Sequence, residues 1–229
     1  MNILKALFVV LAGLAAWVQP VMAAEVWKFT SLDWEPYSGK SLTEQGTSVK
    51  LLKDKLEAAL GVEIVVEFYP WKRAQALAQT GGYVGYFPAW PEEVQEGFIA
   101  SPAVDWSEIA VLKIKDTVLE FISVEQLFEK YRVGLVETYT YPQEIEAART
   151  KHAKNAELAP DETLLAKKLQ AGRNQAAITD PSVMKFVGQK VGVDDIEVVK
   201  VLEKKELVIA LRNDQENQER IARIRKALE

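Results

Sequence analysis

The sequence predicts an α/β protein, and three observations carry the prediction. Strand-like and helix-like patterns alternate along the chain, glycines and prolines punctuate them, and 229 residues without a cysteine are long enough to bury a core unaided. Residues 26–31 alternate and carry β-formers, so the first strand falls there. Residues 47–60 place Val49, Leu52, Leu56 and Ala59 at helical spacing and stop at Gly61. Residues 62–69 are β-branched and aromatic, 71–79 helical, and Gly81 and Gly82 open a third strand at 83–87. Further strands are expected at 109–114, 132–136, 176–179, 196–201 and 207–211. Helices are expected between them and after them, at 124–130, 142–152, 163–171, 181–190 and 218–228. This alternation implies mostly parallel sheets with helices on both faces. The stretches 101–107, with Pro102 and Asp105, and 202–206, which is charged, read as crossovers.

The amino terminus has a separate logic. Lys5 gives a positive start, residues 6–17 an apolar run, Gln19 and Pro20 a break, and Val21, Met22 and Ala23 small or apolar residues before a cleavage point. That is a secretory signal peptide pattern over residues 1–23, too short to span a bilayer. The absence of cysteine removes both a lipoprotein anchor and a disulfide framework. Without the leader, 27 basic residues face 33 acidic ones, scattered along the chain, so nucleic acid is not an expected partner.

Several strings, in order, resemble the family 3 bacterial periplasmic solute-binding proteins of polar amino acid ABC transporters. They are Thr30-Ser31-Leu32-Asp33-Trp34-Glu35-Pro36-Tyr37, Tyr69-Pro70-Trp71-Lys72-Arg73-Ala74, Gly85-Tyr86-Phe87-Pro88 and the Phe98 to Pro102 stretch, then Arg132-Val133-Gly134-Leu135-Val136, Tyr139-Thr140-Tyr141, Leu169-Gln170-Ala171-Gly172 and Ala176-Ala177-Ile178-Thr179-Asp180. The resemblance spans nearly all of the chain after the leader. It implies the two-lobed periplasmic-binding-protein fold, type II: two mostly parallel sheets flanked by helices and joined by two crossover strands. Residues 24–105 would open lobe 1, 106–203 form lobe 2, and 204–229 return to lobe 1. Such proteins often continue through a further helix, whereas this sequence stops at Glu229. The resemblance also implies a monomer in the periplasm that closes on a small polar or zwitterionic solute and passes it to an ABC transporter permease in the inner membrane, without catalysis.

Ligand groups follow from the resemblance residue by residue. The aromatic that covers the solute falls in the first loop, at Trp34 or Tyr37. The arginine that grips a ligand carboxylate in two-pronged fashion is replaced by Val94, and Arg73, or Lys72 beside it, is the nearest substitute cation. The carboxylate that meets a ligand amine corresponds to Asp180. Thr138, Tyr139 and Thr140 lie in a loop before a helix, where hydroxyls and free N–H groups suit an anionic end. Tyr86, Phe87 and Trp90 complete the set.

Each of these has a plainer reading beside it. The aromatics either line a cleft or pack in a core. Arg73 is either a ligand group or a surface arginine. Asp180 precedes Pro181 and the next helix, so it either binds ligand or caps that helix. Thr138, Tyr139 and Thr140 are equally suited to a turn. Trp71 reads as packing and His152, between lysines, as solvated surface. With one histidine and no cysteine, no metal and no cofactor is expected. The pairs Glu92-Glu93, Asp161-Glu162 and Asp194-Asp195 sit at turns or helix starts, where negative charge suits the helix dipole. No nucleophile elbow or phosphate loop is present. Two other functions remain open: a dehydratase-like enzyme using Asp180 or Glu35 in the cleft, and a ligand-sensing partner of a membrane signalling protein.

Overall fold

The computed structural model describes residues 24–229, so the expected signal peptide lies outside the described residues. The first half opens with β1 (Glu25–Ser31), α1 (Thr47–Leu60), β2 (Val62–Phe68), α2 (Trp71–Ala78), β3 (Gly85–Ala89) and the short β4 (Phe98–Ala100). The long β5 (Asp105–Ile114) leads into the second half, which holds α3 (Val124–Lys130), β6 (Val133–Val136), α4 (Gln143–Lys151), β7 (Ala156–Ala159), α5 (Glu162–Gln170), β8 (Ala176–Thr179) and α6 (Pro181–Val191). The chain returns through β9 (Ile196–Arg212) and ends in α7 (Gln218–Leu228), which packs on α1.

The strands run in the order β2-β1-β3-β9-β5-β8-β6-β7, with β4 also on β9. Pairing is parallel in the outer parts, where β1 lies between β2 and β3 and β6 between β7 and β8. In the middle it is antiparallel, because β5 leaves the first half and β9 comes back. Residues 202–206, read as a charged crossover between two shorter strands, lie within one long strand, β9: Glu203, Lys204, Lys205 and Glu206 pair with Ile109, Glu108, Ser107 and Trp106. Their charges follow the strand period, with Lys205 turned inward and its neighbours exposed. Beyond them Leu207 to Arg212 are all buried, as a strand covered on both faces requires. Two strands were not expected at all, β4 and β7. Both have three or four residues, too few to show a period.

Helix ends follow local chemistry. Ser123 and Asp161 cap α3 and α5 by accepting from the N–H groups of Gln126 and Leu164, and Gly61 ends α1 with φ 64°. Val49, Leu52 and Leu56 form the buried stripe of α1. His152 is half-buried at the end of α4, not solvated as expected. Among the described residues no helix is long and apolar enough to cross a membrane.

A candidate ligand seam between the two halves

The parallel strands β1, β3, β6, β7 and β8 all deliver their carboxyl ends to one seam between the halves, the place where open α/β sheets hold ligands. The loop after β1 brings Trp34 and Tyr37. It is pinned on the start of α1, where the N–H groups of Ser48 and Val49 donate to the Tyr37 carbonyl. Gly46 makes this approach possible: it has φ 105°, and a Cβ there would lie 2.5 Å from the Tyr37 oxygen. The one-turn helix after β3, Pro91–Glu93, brings Trp90 and Glu93. From the second half come Tyr139 and Tyr141 after β6, Glu162 at the start of α5 and Asp180 after β8.

These side chains form a continuous aromatic wall. Trp34 stacks on Tyr37 at 4.6 Å and meets Trp90 edge-on at 6.0 Å, and Trp90 meets Tyr139 at 5.4 Å with the planes 73° apart. Hydrogen bonds tie the halves directly. Trp34 Nε1 donates to Glu162 at 3.2 Å, and the Tyr139 hydroxyl donates to the same carboxylate oxygen. Tyr37 donates to Asp180 at 3.1 Å, and Lys190 pairs with Glu35. A cavity of about 10 Å³ remains, walled by Leu32, Trp34, Trp71, Pro88, Trp90, Glu93, Tyr139 and Leu207. That is room for about one water molecule, so a larger guest enters only when the halves part or Trp34 swings away.

Three carboxyl groups are buried here. Glu93 accepts from Trp71 Nε1 at 2.9 Å and from the Trp90 N–H at 3.2 Å, and burial pushes its pKa up to about 7. Burial also raises Glu162, against the opposing donors Tyr139, its own N–H and Trp34. It raises Asp180 too, opposed by the Val183 and Glu108 N–H groups and by Tyr37. Desolvation and the neighbouring Glu162 hold the Tyr139 phenol protonated well above its usual range.

Of the residues singled out from sequence, Trp34, Tyr37, Trp90, Tyr139 and Asp180 meet at the seam. Asp180 fills both of its readings: one oxygen caps α6 by accepting from Ser182 and Val183, and the other takes the bonds from Tyr37 and the Glu108 N–H. Thr138 is half-buried and Thr140 exposed on either side of Tyr139. Tyr86 and Phe87 are elsewhere. They alternate across β3, which is covered on both faces, so both are core: Tyr86 donates to the Glu93 carbonyl at 2.7 Å and packs on Trp71 and Phe98, while Phe87 joins the main core. Arg73 is exposed on α2 with its guanidinium 5.5 Å from the centre of the Tyr69 ring, away from the cavity wall. Val94 packs against the Trp71, Tyr86 and Phe98 cluster. Glu93, Glu162 and Tyr141 were not singled out. Doubling of carboxylates does not mark them: Glu93 and Glu162 turn inward while Glu92 pairs with Lys205 and Asp161 caps a helix, but both members of Asp194-Asp195 are exposed.

No family model matches the chain, and no curated protein matches it. Solved structures do. An ancestral arginine-binding protein bound to arginine aligns with a TM-score of 0.71 at 17% identity, over 90% of this chain and 92% of that one. The chain has the fold of the periplasmic amino-acid-binding proteins. A histidine kinase sensor domain with similarity to periplasmic binding proteins aligns equally well, TM-score 0.71 at 16% identity over 90% and 88%. The ancestral amino-acid-binding protein AncCDT-1, a precursor of cyclohexadienyl dehydratase, aligns at 0.66 and 19% identity over 89% and 88%. The seam built by Trp34, Trp90, Tyr139 and their carboxylates lies between the two halves of this fold.

Proposed function

We propose that the chain is a periplasmic receptor for a small polar solute. It works as a monomer, closes its halves on the solute at the seam, and delivers it to an ABC transporter permease in the inner membrane. One observation carries the reading: the polar bonds at the cleft are made between the two halves, Trp34 to Glu162 and Tyr37 to Asp180. A solute placed there touches both halves at once, so its binding energy favours the closed arrangement. The chain does no chemistry on the solute in this reading. Each buried carboxylate is held by donors that keep it in place.

Thermal melting of residues 24–229 against amino acids, amines, organic acids and sugars tests this. A solute at a hundred times its dissociation constant adds roughly 2.7 kcal/mol. It should then be recovered unchanged after dialysis, and recovery of an altered solute would replace receptor with enzyme. A sensing role is the second reading. The direct latch across the seam, including Glu35 with Lys190, offers a membrane partner a closed face to read. Loss of labelled-solute uptake on deleting the gene supports transport; intact uptake with a lost transcriptional response supports sensing.

A further inference from the structure

Resting on the receptor reading, we infer that the seam selects a small organic ammonium ion that carries no carboxylate of its own. The walls come first. Trp34, Trp71, Trp90 and Tyr139 present indole and phenol rings to one cavity, and the Trp34–Trp90 and Trp90–Tyr139 pairs stand 82° and 73° from coplanar. Rings set edge to face do not stack on one plane, so they enclose the cavity from different directions. An aromatic face attracts a cation through its quadrupole, most strongly when water is excluded.

Charge is the second and independent observation. Glu93 lines the cavity, and Glu162 lies directly behind it, bonded to two of the wall residues, Trp34 and Tyr139. Both carboxyl groups accept only from neutral donors: indole N–H, phenol O–H and backbone N–H. Among the described residues no lysine or arginine lines the cavity. Lys72 acts on Glu93 only at a distance, as an exposed residue of α2. Arg73 lies over Tyr69, and Lys205 is engaged by Glu92 and Glu203. A guest carboxylate would therefore meet two buried acids and no countercharge, which is the costly arrangement. A neutral guest would leave the acids as they are. A cation meets the rings and supplies the charge that the protein withholds.

The proton balance is simple. Glu93 keeps a proton in part of the population near neutrality because burial raises its pKa to about 7. An arriving ammonium ion favours the ionised carboxylate, so that proton leaves to solvent and affinity rises with pH. The groups facing Glu93 are Trp71 and Lys72 of α2, the Trp90 and Thr140 N–H groups, and the Tyr139 and Tyr141 phenols. Both phenols stay protonated across this range, so they do not mask the effect.

Calorimetric titration of residues 24–229 with choline and putrescine is the test. The neutral isosteres 3,3-dimethylbutan-1-ol and butane-1,4-diol, and the zwitterions glycine betaine and 4-aminobutanoate, are titrated beside them. At least one cation should bind about thirty-fold or more tighter than its neutral and zwitterionic counterparts, the ratio that a desolvated cation–π contact supplies. Its affinity should rise from pH 6 to pH 8, with heat that varies with the buffer as a proton is released. Glu93→Gln and Glu162→Gln, checked for folding by circular dichroism, should weaken the cation at least ten-fold. A zwitterion or neutral solute that binds more tightly than its cation overturns the inference and leaves the receptor standing. Failure of every solute to bind folded protein removes both. If a variant does not fold, the wild-type selectivity still decides.

Discussion

Lys205 and Arg212 on β9 are 2% and 6% exposed, and Glu93 and Glu162 at the seam are 7% and 8% exposed. Burial is alike, but the surroundings are opposite. Each cation has two carboxylates: Lys205 has Glu92 and Glu203, and Arg212 has Asp214 and Glu216. Each seam acid has only neutral donors. On the β9 side the chain completes its own electrostatics, and the charges there hold the fold. At the seam it does not, so the acids are either protonated or matched by something from outside. This difference separates a structural charge from a candidate binding charge better than burial does.

The largest expected effect is on pH. Glu93 titrates at about 7 in the folded chain against an ordinary value of 4.5. Below 4.5 both folded and unfolded chains hold the proton. Between 4.5 and 7 only the folded chain does, so stability falls as pH rises, by about 1.4 kcal/mol per unit and on the order of 3 kcal/mol in all. Glu162 and Asp180 are raised as well and push the same way. Urea unfolding at pH 5 and pH 8 should therefore show a more stable protein in acid, and Glu93→Gln should narrow that gap. An equal gap in the variant would mean that Glu93 has a countercharge after all, and the comparison would fail at its main point.

Next comes the β9 side. Arg212→Met should cost about 1–2 kcal/mol by chemical denaturation. It removes the bonds to the Thr80 carbonyl, Asp214 and Glu216. The cost stays moderate because the two acids left behind are 43% and 58% exposed and regain water. A loss of 4 kcal/mol or more would mean that those acids are stranded, as the seam acids would be if ionised.

The same contrast explains what was legible in the sequence. The span of α1 was readable because Val49, Leu52 and Leu56 repeat at helical spacing and Gly61 stops them. Trp34, Tyr37 and Asp180 follow from the resemblance to the solute-binding proteins, and the strand ends bring all three to the seam. Charge direction was not readable. Leu202 to Glu206 look like a solvated joint, yet strand pairing with β5 turns Lys205 inward. Glu93 and Glu162 look like helix-start acids, and Glu93 does accept from the Trp90 N–H at the start of its one-turn helix; only three-dimensional packing shows that both are buried. Tyr86 and Phe87 follow strand alternation faithfully, but sequence does not say that both faces of β3 are covered. Arg73 reads as the nearest substitute cation, whereas α2 sets it over Tyr69.

A smaller effect sharpens the comparison from within the seam. Tyr37→Phe removes one bond to Asp180, which keeps its bonds from Ser182, Val183 and the Glu108 N–H. It should cost about 1 kcal/mol. Because that bond joins the halves, small-angle scattering should show a larger radius of gyration in the variant. An unchanged radius would mean that Trp34 and Glu162 hold the seam alone.

The smallest effect belongs to Glu35 and Lys190, which also tie the halves. Here the lysine is 51% exposed. Its charge remains hydrated, salt screens it, and holding two long side chains in one geometry costs entropy, so such pairs contribute about 0.2–1 kcal/mol. A double-mutant cycle with Glu35→Gln and Lys190→Met should give a coupling in that range that shrinks as salt is raised. A coupling well above 1 kcal/mol that resists salt would show that water is excluded further along the seam than Lys190. The electrostatic latch would then reach the surface, and the division between self-compensated and guest-compensated charge would have to be redrawn around the whole cleft.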